Sequence, residues 1–212
     1  MRQRRIRNLD EKLDRLSRFI IENPRDIRGK WREHFTVDNP VYLEIGCGKG
    51  QFITENALRY TDRNFVAIEG HESVILRAIT KAEENELENL EFITQYVSDL
   101  DEFFAEEELD GIYLNFSDPW PKERHAKRRL TYSKRLIQYM KALKPGGFIQ
   151  FKTDNDGLFD FTLEQIEECG FEIEYMTRDL HNSPLAEENI TTEYEDKFSG
   201  VGKNINYVLI KK

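Results

Sequence analysis

Five strand-like apolar runs alternate with helical patterns along most of this chain of 212 residues. The runs are VYLEI, NFVAIEG, LEFITQYV, GIYLNF and GGFIQFKTD, and the helical patterns fall after the glycines of 46–50 and at 72–84, 100–106, 133–143 and 158–169. Neighbouring parallel strands need a crossover that returns the chain to the same edge of the sheet, and a helix usually supplies it. The alternation therefore predicts an α/β fold with a mainly parallel sheet and helices on both faces.

Two further strand-like runs, FEIEYMT and INYVLIKK, follow near the C-terminus and bring the expected number of strands to seven. A polar segment, residues 179–204, separates them and is too long for a tight hairpin. Loops of that length within a compact domain usually have a function.

The first 35 residues are expected to form a basic helical arm that precedes a main domain of residues 36–212. This arm holds eleven Lys and Arg residues against six Asp and Glu, and its first basic residues are Arg2, Arg4, Arg5 and Arg7. Between residues 8 and 22, apolar side chains recur at helical spacing, at Leu9, Leu13, Leu16, Phe19 and Ile20. The spacing predicts an amphipathic helix that docks on the main domain or on a partner.

Positive charge is concentrated in two stretches, although the whole chain carries a net charge of −9. Residues 1–35 carry +5 and residues 120–135 carry +6. A clustered basic stretch is typical of contact with nucleic-acid phosphates. In the N-terminal stretch acidic residues interleave with the arginines, so an ordinary solvated surface explains that stretch equally well. The stretch at 120–135 favours nucleic-acid contact.

Neither an apolar secretion signal nor a run of 18 apolar residues occurs in the chain. We therefore expect a cytoplasmic protein that does not enter a membrane. The four histidines show no paired ligand spacing, and TDNDG does not align with a calcium-binding loop, so no metal is expected.

A glycine-rich loop follows the first predicted strand in LEIGCGKGQF. Gly46 and Gly48 allow a sharp turn and a close approach of the backbone to a ligand, and the next helix begins with unpaired N–H donors. This position is typical of nucleotide binding, and we expect both glycines to contact a cofactor. The spacing G-x-G-x-G matches neither the usual dinucleotide fingerprint nor a phosphate-binding P-loop.

Two carboxylates flank this loop. Glu69 ends the second predicted strand, where an acidic side chain can accept both ribose hydroxyls of an adenosine-type ligand. Glu44 lies within the first strand, where it would repel the pyrophosphate of NAD but suits the positive charges of S-adenosylmethionine. The pair favours the methyl donor over NAD.

The fourth predicted strand ends in Ser117-Asp118-Pro119-Trp120-Pro121, directly before a basic run. Ligands of open α/β sheets bind at the carboxyl ends of the strands, so Asp118 should face the same crevice as the glycine loop. A carboxylate can accept hydrogen bonds from a base edge, an aromatic ring can stack, and basic side chains can hold phosphates. The combination is typical of enzymes that modify bases.

Four motifs in order, LEIGCGKG, LNFSDPWPKERHAKRRLT, FKTDNDGLF and TEYEDKF, resemble the bacterial tRNA (guanine-N7-)-methyltransferases. The resemblance covers most of residues 30–212. It implies a Rossmann-like class I methyltransferase that transfers a methyl group from S-adenosylmethionine to N7 of guanine in tRNA, at guanine-46 of the variable loop, giving 7-methylguanosine.

The resemblance also implies roles for individual residues. Glu44, Glu69 and Asp118 match cofactor contacts, and Asp118 is also the expected catalytic residue. Substrate contacts are expected at Lys122, Asp154, Thr192, Glu193, Tyr194 and Glu195. The stretch expected to contact RNA consists of Arg124, His125, Ala126, Lys127, Arg128 and Arg129. The resemblance leaves open whether the protein is a monomer or a homodimer.

One cofactor position departs from the family pattern. Relatives tend to have an aspartate after the third strand, near the adenine end of the cofactor, where this chain has Tyr96. Either backbone groups near Tyr96 or the carboxylate of Asp99 takes this contact.

The expected chemistry needs alignment more than a strong base, because guanine N7 carries a lone pair and no proton. Asp118 is expected to orient the guanine, by accepting from its N1–H and N2–H groups, and to stabilise the positive charge that develops on the ring. Asp154, at the tip of the fifth strand, offers a second acceptor.

Three other functions share part of this pattern. A methyltransferase for small molecules or proteins has no use for the basic run 124–129. An RNA-binding protein without activity does not need an intact cofactor crevice, and the loop spacing and Glu44 disfavour an NAD-dependent reductase.

Overall fold

The computed structural model describes residues 6–199 and 202–212. Its strands are β1 (Val41–Ile45), β2 (Asn64–Ile68), β3 (Leu90–Ile93), β4 (Leu109–Asn115), β5 (Leu143–Thr153), β6 (Ile173–Thr177) and β7 (Asn206–Lys211). They form one sheet in the order β3-β2-β1-β4-β5-β7-β6, in which β7 runs antiparallel to both of its neighbours and the other pairs are parallel. The expected mainly parallel, seven-stranded sheet is confirmed.

Helices cover both faces of this sheet, as predicted. They are α1 (Leu9–Arg15), α2 (Trp31–His34), α3 (Gln51–Arg59), α4 (Glu72–Glu84), α5 (Ser133–Ala142), α6 (Asp156–Cys169) and α7 (Glu193–Ser199). Alternate residues of β2 enter two separate apolar cores, with Val66 on the side of α5 and α6 and Phe65 on the side of α3 and α4. Within the described residues, no helix is long and apolar enough to cross a membrane.

The N-terminal helix is shorter than the spacing over residues 8–22 predicts. It ends at Arg15, and a 3-10 turn then brings the chain to the outer edge of the sheet, where the Ile21 N–H donates to the Phe92 carbonyl at 2.8 Å. The backbone groups of an edge strand need partners, and residues 20–21 supply one here. Arg2, Arg4 and Arg5 lie outside the described residues, and the division at residues 35 and 36 stays a prediction.

Two other connections differ from the sequence-based expectation. The helical pattern at 100–106 forms only a 3-10 turn, Leu100–Glu102, which the Asp99 side chain caps. The long polar segment between β6 and β7 contains a 3-10 turn, Leu180–Asn182, and helix α7. This segment therefore has regular structure of its own, and it lies over the sheet beside α3.

Candidate active site at the carboxyl ends of the strands

The chain reverses its direction of travel across the sheet at the carboxyl ends of β1 and β4, and we call this position the crevice. From β1 the chain moves outward through β2 and β3, and then returns to β4 on the other side of β1. The loops after β1 and β4 consequently leave the sheet in opposite directions, which creates a ligand-binding position at the carboxyl ends of these two strands. The glycine loop, Glu69 and Asp118 all lie at this edge.

The glycine loop turns sharply against the end of β2 and leads into α3. The Gly46 N–H donates to the Ile68 carbonyl at 2.7 Å, and Gly50 has a φ of 81°. A Cβ on Gly50 would lie 2.4 Å from the Cβ of Ala78 in α4, so only glycine allows the two helices to approach this closely here. The loop is thus fixed by backbone contacts on both sides.

Glu69 extends from the end of β2 and is tied to this loop. One carboxylate oxygen accepts the Gly48 N–H at 3.3 Å and the other accepts the His71 N–H at 2.9 Å. The Tyr96 ring lies directly over Gly70, since a Cβ on that glycine would fall 2.4 Å from the ring. Tyr96 is 69% exposed, so a flat aromatic surface is available beside the carboxylate.

Asp99 and Tyr96, the two positions considered for the contact near the third strand, lie in different surroundings. The Asp99 Oδ1 accepts the Asp101 N–H at 3.1 Å and the Gln138 side-chain amide at 2.8 Å. This carboxylate is therefore engaged with a helix cap and with α5, whereas Tyr96 is the neighbour of Glu69 and Gly70.

Glu44 is buried in β1, where Asn115 of β4 donates a hydrogen bond of 2.7 Å to its Oε1. Its Oε2 and the Oδ1 of Asn115 are buried without a hydrogen-bond partner among the described residues. Burial raises the pKa of Glu44 to about 7, although the Asn115 hydrogen bond and the charge of Lys152 act in the opposite direction. A buried acceptor without a partner suits a cationic donor such as an ammonium group. Asn115 is not among the residues predicted from the sequence, where its only signal is its place directly before the FSDPW loop.

Asp118 lies in a strained loop after β4. The loop contains two non-glycine residues with positive φ, Phe116 at 48° and Trp120 at 41°. Such strain persists only where the surroundings hold the backbone, and it is common at functional sites. Asp118 is exposed, and no group in the described part of the chain hydrogen-bonds its carboxylate.

Arg129 is the residue that holds this loop. Its guanidinium donates to the Pro119 carbonyl at 3.0 Å and to the Trp120 carbonyl at 3.1 Å, and it lies 4.2 Å from the centre of the Phe161 ring. By sequence, Arg129 belongs to the residues expected to contact RNA. The structure instead directs its guanidinium at the backbone of the Asp118 loop.

The remaining basic residues after the loop are presented to solvent. They lie in the 3-10 helix Glu123–Arg128 and directly before it, and the exposed ones are Lys122, Arg124, Lys127 and Arg128. The Arg128 guanidinium lies 4.8 Å from the centre of the Trp120 ring, and the half-buried His125 meets the same ring edge-on at 5.7 Å. Ala126 is half-buried in the same turn. The result is an exposed cationic surface that adjoins Asp118 in the sequence and packs on Trp120.

The expected substrate residues of the C-terminal motif lie in a segment that we call the substrate segment, residues 189–198. Tyr194 stacks on Phe198 with ring centroids 4.2 Å apart, lies 5.1 Å from Phe116 and donates to Asp154 at 3.4 Å. Asp154 also pairs with Lys203 at 2.9 Å. The aromatic side chains therefore join the substrate segment to the end of the Asp118 strand.

Thr192 and Glu195 have the T-x-x-E spacing of a helix capping box. The Glu195 N–H donates to the Thr192 Oγ1 at 2.9 Å, at the start of α7. Both residues are buried, and Glu195 is 0% exposed. Its side chain turns inward to Lys152, at 2.9 Å, so Glu195 has no surface with which to touch a substrate in this structure, unlike its neighbour Glu193. Lys152 is not among the residues predicted from the sequence, where its signal is a charge inside the apolar run GGFIQFKTD.

No group of three or more His, Cys, Asp or Glu side chains within residues 6–199 and 202–212 is arranged to hold a metal ion.

Comparisons with known proteins show what the chain is similar to. A family model described as "Putative methyltransferase" matches residues 38–208. The tRNA (guanine-N(7)-)-methyltransferase of Latilactobacillus sakei subsp. sakei strain 23K is 48% identical over 187 residues, which are 88% of this chain and 88% of that protein. The similarity thus extends over nearly the whole length of both chains.

Solved structures of distant proteins share the fold. An antibiotic-related methyltransferase is 15% identical with a TM-score of 0.63, and the match covers 91% of this chain and 95% of that chain. Phosphoethanolamine N-methyltransferase 2 of Haemonchus contortus, in complex with S-adenosyl-L-methionine, is 17% identical with a TM-score of 0.51, over 96% of this chain and 52% of that one. The Rossmann-like methyltransferase fold expected from the sequence is confirmed.

Proposed function

The chain belongs to the tRNA (guanine-N7-)-methyltransferase family, and we propose that it transfers a methyl group from S-adenosylmethionine to N7 of guanine-46 in tRNA. One observation carries this proposal. The Asp118 carboxylate, without a hydrogen-bond partner in the described part of the chain, follows β4 at the crevice edge of the sheet. On one side of Asp118 lie Glu44 and Glu69, whose carboxylates suit a cofactor. An exposed cationic turn follows Asp118 in the chain.

The residues on the β1 and β2 side fit the cofactor. The unpartnered Oε2 of Glu44 would accept from the amino group, and Glu69 would accept from the ribose hydroxyls. Gly46 and Gly48 let the backbone approach the ligand, and the exposed Tyr96 ring would lie against the adenine. When bound, S-adenosylmethionine supplies an electrophilic methyl group on a positively charged sulfur.

Asp118 acts on the base that accepts the methyl group. Guanine N7 has an in-plane lone pair and no proton, so the enzyme needs no strong base. The Asp118 carboxylate accepts from the N1–H and N2–H groups of guanine and thereby points N7 toward the methyl group. Its negative charge also stabilises the positive charge that develops on the methylated ring.

The exposed cationic turn binds the phosphates of the same tRNA. Lys122, Arg124, Lys127 and Arg128 present their charges together, which compensates locally for the acidic remainder of the chain. Tyr194 offers an aromatic face at the crevice, 42% exposed, for stacking on a base that has left its helix.

The test incubates the purified protein with radiolabelled S-adenosylmethionine and an unmodified tRNA transcript, and then identifies the labelled nucleoside by digestion and mass spectrometry. We expect label in 7-methylguanosine. A matched transcript with adenine in place of guanine-46 should remain unlabelled.

Three outcomes contradict different parts of the proposal. Equal labelling of the two transcripts would reject position 46, and label in another nucleoside would reject N7. Absence of label, despite calorimetric binding of S-adenosylmethionine, would reject tRNA as the acceptor.

A further inference from the structure

A lysine is wholly buried beneath the substrate segment. Lys152 lies in β5, is 0% exposed and donates to three acceptors: the Asn189 Oδ1 at 3.1 Å, the Ile190 carbonyl at 2.8 Å and the Glu195 Oε2 at 2.9 Å. An ammonium group has three donors, and all three are used here. Because every acceptor belongs to the substrate segment, this one side chain joins the segment to the central sheet.

Glu195 completes the contact from the other side. Its Oε1 accepts the Asn189 amide at 2.7 Å and lies 2.7 Å from the His181 Nε2. Glu195 thus links Asn189 and His181, which both lie in the connection between β6 and β7, to Lys152. The contacts of the segment with α3 are more exposed, such as that of Gln51 with Asp196 at 2.7 Å, and exposed polar contacts contribute little to order.

The same lysine stands next to the cofactor side of the crevice. Lys152 is the register partner of Asn115 in the β4–β5 pair, and Asn115 donates to Glu44. Glu44, Asn115 and Lys152 therefore form a buried polar row across three adjacent strands. The row ends at the substrate segment, and Lys152 is the cation between the carboxylates of Glu44 and Glu195 in this row.

We propose that Lys152 is a positioning residue for tRNA methylation, which holds the substrate segment in register with the cofactor row while touching neither ligand. The inference rests on the proposed function, because that function is what makes residues 189–198 a segment that contacts tRNA. Glu195 is part of the same buried contact and acts through Lys152. Glu193 and Tyr194 are the residues of the substrate segment that this contact presents to the crevice.

The experiment compares Lys152→Met with the wild type in two measurements. Hydrogen exchange of the substrate segment should accelerate at least about tenfold, because the segment loses its buried anchor. The kcat/KM for tRNA should fall about 100-fold, since a displacement of about 1 Å of a positioning group has effects of that size. The affinity for S-adenosylhomocysteine should fall much less than the kcat/KM for tRNA, because Lys152 acts on the cofactor site only through its charge, which favours the ionised form of Glu44 by lowering its pKa.

A second variant separates positioning from stability, since Lys152→Met leaves the buried charge of Glu195 without its partner. Lys152→Met combined with Glu195→Gln removes both charges and should regain thermal stability while its kcat/KM for tRNA stays low. Lys144→Met is the matched control, because Lys144 belongs to the same strand and pairs with Asp110 at 3.2 Å. It should leave exchange of the segment and tRNA kinetics unchanged.

The inference is overturned if the double variant regains both wild-type exchange of the segment and wild-type kcat/KM, since Lys152 would then only balance a buried charge. Its failure differs from that of the proposed function. If the wild type methylates no tRNA, the proposed function fails, whereas the exchange comparison requires no acceptor and still decides whether Lys152 orders the segment.

Discussion

The side-chain amide of Asn115 donates a hydrogen bond of 2.7 Å to the buried carboxylate of Glu44. These residues come from β4 and β1, the two strands between which the crevice opens. Within the described residues, the bond leaves one oxygen of Glu44 buried without a partner. A buried acceptor of this kind carries an electrostatic cost that a cationic ligand would relieve.

We expect the affinity for S-adenosylhomocysteine to rise with pH. Burial raises the pKa of Glu44 to about 7, so the side chain is mostly neutral at pH 6 and mostly ionised at pH 8. Only the ionised form attracts the amino group, and the affinity should therefore increase about tenfold over this range. Calorimetric titration at several pH values measures it. Glu44→Gln should bind weakly at every pH, and a wild-type profile as flat as that of the variant would contradict the prediction.

The same carboxylate should lower the stability of the apo protein at neutral and alkaline pH. Because its folded pKa of about 7 exceeds the usual value of 4.5, the unfolded chain releases this proton first, and the free energy of unfolding falls as pH rises through that window. Glu44→Gln should be more stable than wild type by up to about 3 kcal/mol above pH 7, and the difference should vanish near pH 4. Urea denaturation at both pH values tests this. Glu164→Gln, at an exposed position, should show no such difference.

Asp118→Asn should lose turnover and retain cofactor binding. The neutral amide keeps the shape of the side chain but removes the charge that stabilises the methylated ring, so the rate of methyl transfer should fall about 100- to 1000-fold. Single-turnover kinetics with saturating tRNA, together with calorimetric titration of S-adenosylhomocysteine, measure the two effects. A rate of methyl transfer near that of wild type would reject the role assigned to Asp118.

Substitution of Arg129 should lower kcat, whereas substitution of its basic neighbours should weaken tRNA binding. Arg129 donates to the carbonyls of Pro119 and Trp120, so Arg129→Gln should loosen the Asp118 loop and lower kcat, with the salt dependence of tRNA binding unchanged. Arg124→Gln with Lys127→Gln should weaken tRNA binding and lower the slope of log K against log salt by about 1 for each phosphate that the protein no longer neutralises. Filter binding over a salt series distinguishes the variants. If Arg129→Gln lowers the slope equally, its guanidinium contacts RNA as the sequence suggested.

Gly70→Ala tests the position of Tyr96. The added Cβ would lie 2.4 Å from the exposed Tyr96 ring, which can move away without disturbing the core. We expect weaker binding of S-adenosylhomocysteine and unchanged thermal stability. Tyr96→Ala should have a similar effect, and the double variant should be no worse than either single variant, because both changes remove the same contact. Additive losses of affinity would show that Gly70 and Tyr96 act independently.

The sequence alone was sufficient to predict the sheet and the edge of the sheet at which the candidate site lies. Alternating apolar runs and helical patterns predict parallel strands, and residues at the ends of such strands meet at one edge whatever the details of packing. Gly46, Glu69 and Asp118 could therefore be assigned to a common crevice from their positions after successive strands. The motif resemblance indicated the family, which the relatives confirm.

The partners of Lys152, Glu195 and Arg129 were decided only by the tertiary structure. Glu195 stands in a polar motif typical of the surface, yet it is buried because Lys152, 43 residues away in the chain, meets it beneath the segment. Arg129 belongs by sequence to a basic run, but its donors find two carbonyls of the strained loop. The sequence shows which side chains carry charge. A buried charge needs a partner, because burying an unpaired charge is costly. Which residue becomes that partner depends on packing between distant parts of the chain.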